Sequence, residues 1–185
     1  MSEAKEVKKA TKPKALSPVD LVTIAAFAVM YRLIYYVARM FGIVFPYNMA
    51  LVGSFSVIAF IPMMVIIRKP GAAISYTILW NLINIFFQGE VLLFLLTGWL
   101  PGAFSEIYGF IVKDWGTSLR HNFVHGFLYG LGAMTTIWFV ITYIFDIVFP
   151  AEVWLSVVAL GLVLSLVFTA ICHPLGLLLR KVIVV

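Results

Sequence analysis

Six long apolar runs, separated by short polar breaks, fill most of the sequence from residue 19 onward. An apolar run that crosses a bilayer as an α-helix needs about 20 residues, because the hydrocarbon core is about 30 Å thick. The predicted spans are residues 19–42, 47–67, 70–88, 91–112, 120–148 and 152–179. The pattern therefore predicts an all-α integral membrane protein with six transmembrane helices.

The composition excludes a soluble domain. Of the 185 residues, 63% are hydrophobic and 11% are charged, whereas a soluble domain has roughly 45–50% apolar and about 25% charged residues. A disordered chain is excluded too, because disorder requires few apolar residues and many charges. The single cysteine, Cys172, rules out a disulfide scaffold. Six spans use roughly 120 residues, so any function must be built inside the membrane.

Residues 1–17 form a separate basic segment. They hold five lysines and few apolar residues, and we expect a flexible cytoplasmic tail followed by a single six-helix domain over residues 18–185. The apolar stretch that follows is too long for a signal peptide. The tail can act as a topology signal or contact anionic lipids or a partner, and the sequence leaves both options open.

Positive charge predicts the orientation of the bundle. Basic residues occur in the tail, at Arg68-Lys69, at Lys113 and Arg120, and at Arg180-Lys181, which all fall on the same side of a six-span chain. The opposite breaks carry no lysine or arginine. Because cytoplasmic loops are enriched in these residues, both termini are predicted to be cytoplasmic.

Several polar or amphipathic side chains fall at a similar depth, about 17–22 Å from the cytoplasmic end of their spans. They are Arg32, Asn81, Asn84, Trp99, Thr135 and Ser165. Such residues usually face the protein interior or a cavity, which suggests a pocket that opens toward the outside. Alternatively, each one bonds a neighbouring helix independently. No acid lies at the depth of Arg32, so an anionic ligand, an aromatic ring or an amide oxygen remain its possible partners.

The fourth span contains Gly98, Gly102 and Glu106 on one helix face, with Pro101 between the glycines. The glycines allow close backbone approach, and the proline is expected to bend the helix. Glu106 is either a functional carboxylate or a structural anchor, which could pair with a base such as Arg120.

His121 and His125 are one helical turn apart, a spacing that suits a metal, but two histidines alone make a weak metal site. No phosphate-binding glycine-rich loop is present, so the chain is not expected to hydrolyse ATP. We expect no metal site, no catalytic residue and no cofactor in this chain.

Two motifs carry a resemblance to a known family. The turn Arg68-Lys69-Pro70-Gly71-Ala72-Ala73 and the pattern Gly98-x-x-x-Gly102-x-x-x-Glu106 resemble the substrate-binding S components of energy-coupling factor (ECF) transporters. The YkoE-like group, associated with thiamine and hydroxymethylpyrimidine, is the most similar. Chain length, six spans and inside termini agree with this family. Thr77 and Asn84 stand where relatives in that group tend to carry glutamates.

The resemblance implies an outward-facing pocket for a vitamin or vitamin precursor, with no nucleic acid involved. It also implies docking onto a transmembrane coupling protein driven by two cytoplasmic ABC ATPases. Small residues of the first helix would form the docking face, here Ala25, Ala26 and Ala28, although their spacing differs from the Ala-x-x-x-Ala of the family.

The residues that suit such a pocket are of two kinds. Aromatic rings can stack on a flat ligand, and polar groups can orient its edge. The candidate substrate-binding residues are Arg32, Asn81, Asn84, Trp99, Glu106, Trp138 and Tyr143.

Two other functions remain possible. One is a small metal-dependent membrane enzyme that uses His121, His125 and Glu106 on a lipid-like substrate. The other is a structural subunit of a larger membrane complex, for which a shared polar layer has no purpose.

Overall fold

The computed structural model describes residues 15–40, 46–88 and 98–183, with residues 38–40, 87 and 88 described by their backbone alone. This part of the chain forms six α-helices. They are α1 (Pro18–Met40), α2 (Tyr47–Ile67), α3 (Ala72–Gln88), α4 (Leu100–Val112), α5 (Leu119–Tyr143) and α6 (Ala151–Ile183). Most of the predicted basic tail lies outside the described residues.

Four of these helices, α1, α2, α5 and α6, are long and apolar enough to cross a membrane. The other two are shorter. Helix α3 has 17 residues, which corresponds to about 25 Å. Helix α4 has 13 residues, and residues 91–97 of the predicted fourth span lie outside the described part. The all-helical prediction is confirmed, while six complete spans and cytoplasmic termini stay predictions.

Three local predictions need correction. Helix α5 ends at Tyr143 and not at 148, because the chain leaves helical geometry before Asp146, which adopts a left-handed φ of 51°. Helix α6 runs through Pro174 to Ile183, beyond the predicted end at 179. Pro101 does not bend α4, since it is the second residue of this helix, in its first turn after the N-cap Trp99. A missing N–H costs little there because that group has no intrahelical partner.

Helix α2 forms the centre of the bundle. It packs against α1, α3, α5 and α6, and 78% of its most apolar window is buried, against 28% for α1 and for α6. Its mean hydropathy is 2.4, which fits a helix that is apolar on every side. The exposed faces of α1 and α6 are also apolar, as expected for surfaces that meet lipid.

Glycines set the close contacts between helices. A Cβ at Gly102 of α4 would lie 2.5 Å from the Ala73 backbone oxygen of α3. On α5, Gly126 and Gly130 face Thr169 and Ser165 of α6. Small residues are typical of membrane helix interfaces, where close backbone approach replaces the hydrophobic driving force found in water.

The basic turns, at Arg68-Lys69 and after Lys113, lie at one end of the bundle, the basic end, and contain residues with left-handed backbone conformation. Arg68 ends α2 with φ 51°, and Gly71 follows with φ 86° before α3 begins. Gly116, with φ 102°, lies where a Cβ would come within 2.6 Å of the Met64 oxygen. Only glycine fits this position, so the loop between α4 and α5 packs directly on the end of α2.

We expect Gly102→Ala to destabilise the bundle. Its methyl group would collide with α3 backbone, and overpacking of this kind costs about 1–3 kcal/mol. Thermal unfolding in detergent should show a melting temperature lowered by several degrees. Gly161→Ala is the matched control, because its Cβ would meet only the flexible Met134 side chain at 3.0 Å or more. Equal melting temperatures for the two variants would refute the tight α3–α4 contact.

Candidate functional site

A cavity of about 330 Å³ opens at one end of the bundle. Its walls come from the C-terminal halves of α1, α3 and α5, the N-terminal half of α2 and the residues that start α4. Because the helices alternate in direction, these segments all lie at the same end. The basic turns at Arg68-Lys69, Lys113 and Arg120 lie at the opposite end. If the basic end is cytoplasmic, the cavity faces outward.

The cavity has an apolar body, five aromatic side chains and a few polar groups, as is common for small-molecule sites. Aromatic lining residues are Tyr31, Tyr35, Trp80, Tyr129 and Phe145, and polar ones are Asn48, Ser56, Asn84 and Thr136. Tyr129 stacks on Phe60 of α2, with ring centroids 4.0 Å apart. No carboxylate is found among the described lining residues.

Arg32 of α1 lies directly behind the cavity wall and is 5% exposed. Its Nη1 donates a hydrogen bond of 2.7 Å to Oδ1 of Asn84, a lining residue. Its guanidinium carbon lies 4.9 Å from the Tyr35 ring centroid and 5.0 Å from that of Tyr36. Cation–π contacts and an amide oxygen are thus its partners, two of the three possibilities that the sequence leaves open.

Several polar atoms in and behind this wall are unpaired. Among the described residues, Nε and Nη2 of Arg32 have no hydrogen-bond partner, and neither do Nε1 of Trp80 and Oδ1 of Asn48. Buried polar atoms are nearly always paired, so a group of unpaired ones calls for an explanation. A bound polar ligand is one such explanation.

Asn81, Thr135 and Ser165 are not among the lining residues of the cavity. Asn81 donates from Nδ2 to the Thr77 oxygen at 2.7 Å and packs against Gly98. Thr135 and Ser165 each donate to a carbonyl of their own helix, at 2.9 and 2.8 Å. The expectation of a common polar layer is therefore wrong for Thr135 and Ser165, whose hydroxyl protons are already used.

Trp99, Trp138 and Tyr143 lie on the outer surface of the bundle near the same end, with exposures of 44%, 38% and 65%. Trp138 and Tyr143 contact each other in a T-shaped arrangement. Trp138 lines a second cleft between the end of α5 and the start of α6. The structure does not bring these three side chains together with Arg32 and Asn84.

Glu106 is 2% exposed and belongs to the opposite end of the bundle. Its carboxylate accepts hydrogen bonds from the backbone N–H groups of Gly71 (2.5 Å) and Ala73 (3.2 Å) at the start of α3. It also accepts one from Nε1 of Trp115 at 3.0 Å. A carboxylate at a helix N-terminus satisfies free N–H groups and opposes the helix dipole. The geometry supports the structural-anchor alternative.

His121 and His125 form hydrogen bonds at the same basic end of the bundle. His125 is fully buried; its Nε2 donates to the Asp114 backbone oxygen at 2.9 Å, and its Nδ1 accepts from the Ser105 hydroxyl at 2.7 Å. His121 bonds the Tyr108 hydroxyl at 2.7 Å. No cluster of three metal-ligating side chains exists within the described residues. Because both of its ring nitrogens are hydrogen-bonded, His125 has none left for a metal.

Asp114 organises the loop between α4 and α5. Burial raises the pKa of Asp114, but hydrogen bonds from Thr117 and Gly116 lower it by more, so the pKa lies below its ordinary value. The loop presses Trp115 onto Glu106 and supports His125. This hydrogen-bonded cluster holds α3, α4 and α5 together at the basic end.

The three alanines of α1 face different surroundings. Ala26 is exposed, Ala25 is partly buried, and Ala28 is buried in the core. Ala26 is thus the most accessible of the three to a partner, and Ala28 is not accessible.

Sequence reasoning missed several lining residues, above all Asn48 and Trp80. Asn48 lies in the first turn of α2, where a polar side chain in an apolar run is a usable signal. Trp80 lies one turn before Asn84, so the two share a face of α3.

We expect Asn84→Leu to lower stability, because Arg32 would lose its amide acceptor, and a hydrogen bond to a charged group contributes about 1.5–3 kcal/mol. Thermal unfolding in detergent should show a melting temperature reduced by several degrees. Thr135→Val is the control, since the Thr135 hydroxyl bonds only its own helix. A loss as large in the control as in Asn84→Leu would contradict the stabilising role of the Arg32–Asn84 pair.

Comparison with known proteins gives one informative match. Neither a protein-family model nor a curated protein matches the sequence. Among solved structures, an S component of an ECF transporter is similar, with a TM-score of 0.69 and 17% sequence identity. The match covers 90% of this chain and 85% of that chain. At this identity the match establishes similarity of fold.

Proposed function

We propose that this chain is the substrate-binding S component of an ECF-type ABC importer in the plasma membrane. In this role it captures a vitamin or vitamin precursor in an outward-facing pocket. The observation that carries the proposal is the cavity walled by five helix ends, at the end of the bundle away from the basic turns. Similarity of fold to a solved S component supports it.

The ligand class follows from the resemblance and from the cavity lining. The resemblance favours thiamine or hydroxymethylpyrimidine. Planar heterocycles suit a cavity lined by Trp80 and tyrosines, because aromatic side chains gain energy by stacking on flat rings. Polar groups at Asn48 and Asn84 would orient the edge of such a ring.

Energy must come from other chains in this proposal. The described residues form helices and short turns without a nucleotide-binding fold. The proposed partners are a transmembrane coupling protein and two ABC ATPases. The exposed apolar face of α1 around Ala26 is the proposed docking surface.

The cavity is tested by filling it. Ala133→Trp places an indole among the lining residues of α5, and we expect the purified protein to lose its small-molecule ligand. Mass spectrometry of extracts from purified protein is the measurement. Ala170→Trp, on the exposed face of α6, is the matched control and should keep the ligand. Ala133→Leu covers the case in which the larger ring prevents folding, and it should weaken binding.

The same ligand recovered in equal amount from Ala133→Trp and from Ala170→Trp would contradict a binding role for the cavity. Recovery of membrane lipid alone from the native chain would contradict the proposed function.

The docking surface is tested by Ala26→Trp. We expect this variant to lose most copurification with the coupling protein and ATPases of its host, because the indole projects from an exposed position. Ligand recovery should stay unchanged, since Ala26 does not line the cavity. Ala170→Trp again serves as the control for an added surface indole. Intact copurification of Ala26→Trp would remove this face of α1 from the proposal.

A further inference from the structure

The cavity wall formed by α3 offers hydrogen-bond donors. Trp80 and Asn84, one turn apart, both line the cavity, and we call them the donor face. An indole nitrogen can only donate. A guanidinium also has no acceptor, so the Asn84 atom bonded to Arg32 must be its oxygen. The amide NH₂ of Asn84 is then the group left for a ligand.

A positive charge supports this face from behind. The Arg32 guanidinium contacts two lining residues of the cavity, the Asn84 amide and the Tyr35 ring. Among the described acids, Asp20, Glu106 and Asp114 belong to the basic end. Asp146 and Glu152 are exposed and do not line the cavity.

In a low-dielectric site, a charge at this range acts strongly on a ligand. A cation would meet repulsion from Arg32 together with a face that has only donors to offer. A ring nitrogen, carbonyl or carboxylate would instead accept hydrogen bonds from that face. On the α2 side of the cavity, the unpaired Oδ1 of Asn48 could accept from a ring amino group.

We propose that Arg32 is a specificity-determining residue that makes the cavity select uncharged or acidic planar rings with an acceptor edge and reject cations. This inference rests on the proposed function and refines its substrate class. Of the two ligands that the resemblance suggests, it favours the neutral pyrimidine over thiamine, whose thiazolium ring is a permanent cation.

The test uses probes that share one ring and differ in charge. They are 4-amino-2-methylpyrimidine carrying a 5-hydroxymethyl (neutral), 5-carboxylate (anionic) or 5-aminomethyl (cationic) group, with thiamine as a fourth probe. Calorimetric titration of the detergent-solubilised full chain at neutral pH gives the affinities. We expect the neutral and anionic probes to bind tighter than both cations by on the order of tenfold.

Variants assign the preference to Arg32. Arg32→Gln keeps a donor near Asn84 but removes the charge, and it should reduce the preference to a few-fold or less. Arg32→Lys keeps the charge and should keep the order of affinities. Asn84→Asp adds a carboxylate to the cavity wall and should shift the preference toward the aminomethyl probe. Arg120→Gln removes an exposed charge at the opposite end and is the control.

Native protein that binds the cationic probes as tightly as the neutral one would overturn the inference. An unchanged order of affinities in Arg32→Gln would do so too, as would the absence of binding by all four probes. Copurification with the coupling protein and ATPases is measured on the same samples. If the native chain does not copurify with them, the proposed function fails. This outcome is distinguishable from failure of the charge preference, which the probes measure.

Discussion

The hydrogen bond between Arg32 and Asn84 joins a buried cation to the wall of the cavity, and the functional account depends on it. A charge at this depth in an apolar bundle is costly, so it needs partners that keep it in place. Here an amide oxygen and two tyrosine rings surround the guanidinium. The same contacts orient the Asn84 amide and place positive potential beside the cavity. One interaction thus contributes to the stability of the bundle, to the geometry of the cavity wall and to the proposed preference for ligand charge.

The two ends of the bundle use polar groups differently. At the basic end, Glu106, Asp114 and His125 have hydrogen bonds from or to backbone and neighbouring side chains. These bonds fix helix ends and the loop between α4 and α5. At the cavity end, several buried polar atoms of Arg32, Trp80 and Asn48 lack partners in the described part of the chain. One end has hydrogen-bonded side chains that hold helix ends together, and the other has unpaired polar atoms beside a cavity. This arrangement suits a binding protein better than a structural subunit.

Much of the fold was predictable because apolar run length and break residues determine where membrane helices lie. The face shared by Gly98, Gly102 and Glu106 was predictable too, since four-residue spacing places side chains on one side of a helix. The role of Glu106 in holding the start of α3 was not predictable, because only the fold brings these two segments together. Depth estimates placed Arg32 and Asn84 at one level. They did not give the rotation of each helix, which is why Thr135 and Ser165 seemed equivalent to them.

The lining of the cavity was predictable only in part, for similar reasons. Trp138 and Tyr143 carry rings suited to stacking, but α5 presents neighbouring positions such as Ile137 and Ile141 to the cavity. Asn48 and Trp80 each left a local signal in the sequence, but spacing does not show that the two side chains line the same cavity. Their significance comes from unpaired atoms around a common space, a property of the folded chain that no spacing rule encodes.

A structure of the protein with its copurified small molecule tests the central claim most directly. The account predicts density for a planar ring within the cavity, with an acceptor atom at about 3 Å from the Asn84 amide nitrogen. Density for a lipid or detergent chain in that space, with the small molecule bound elsewhere, would contradict it.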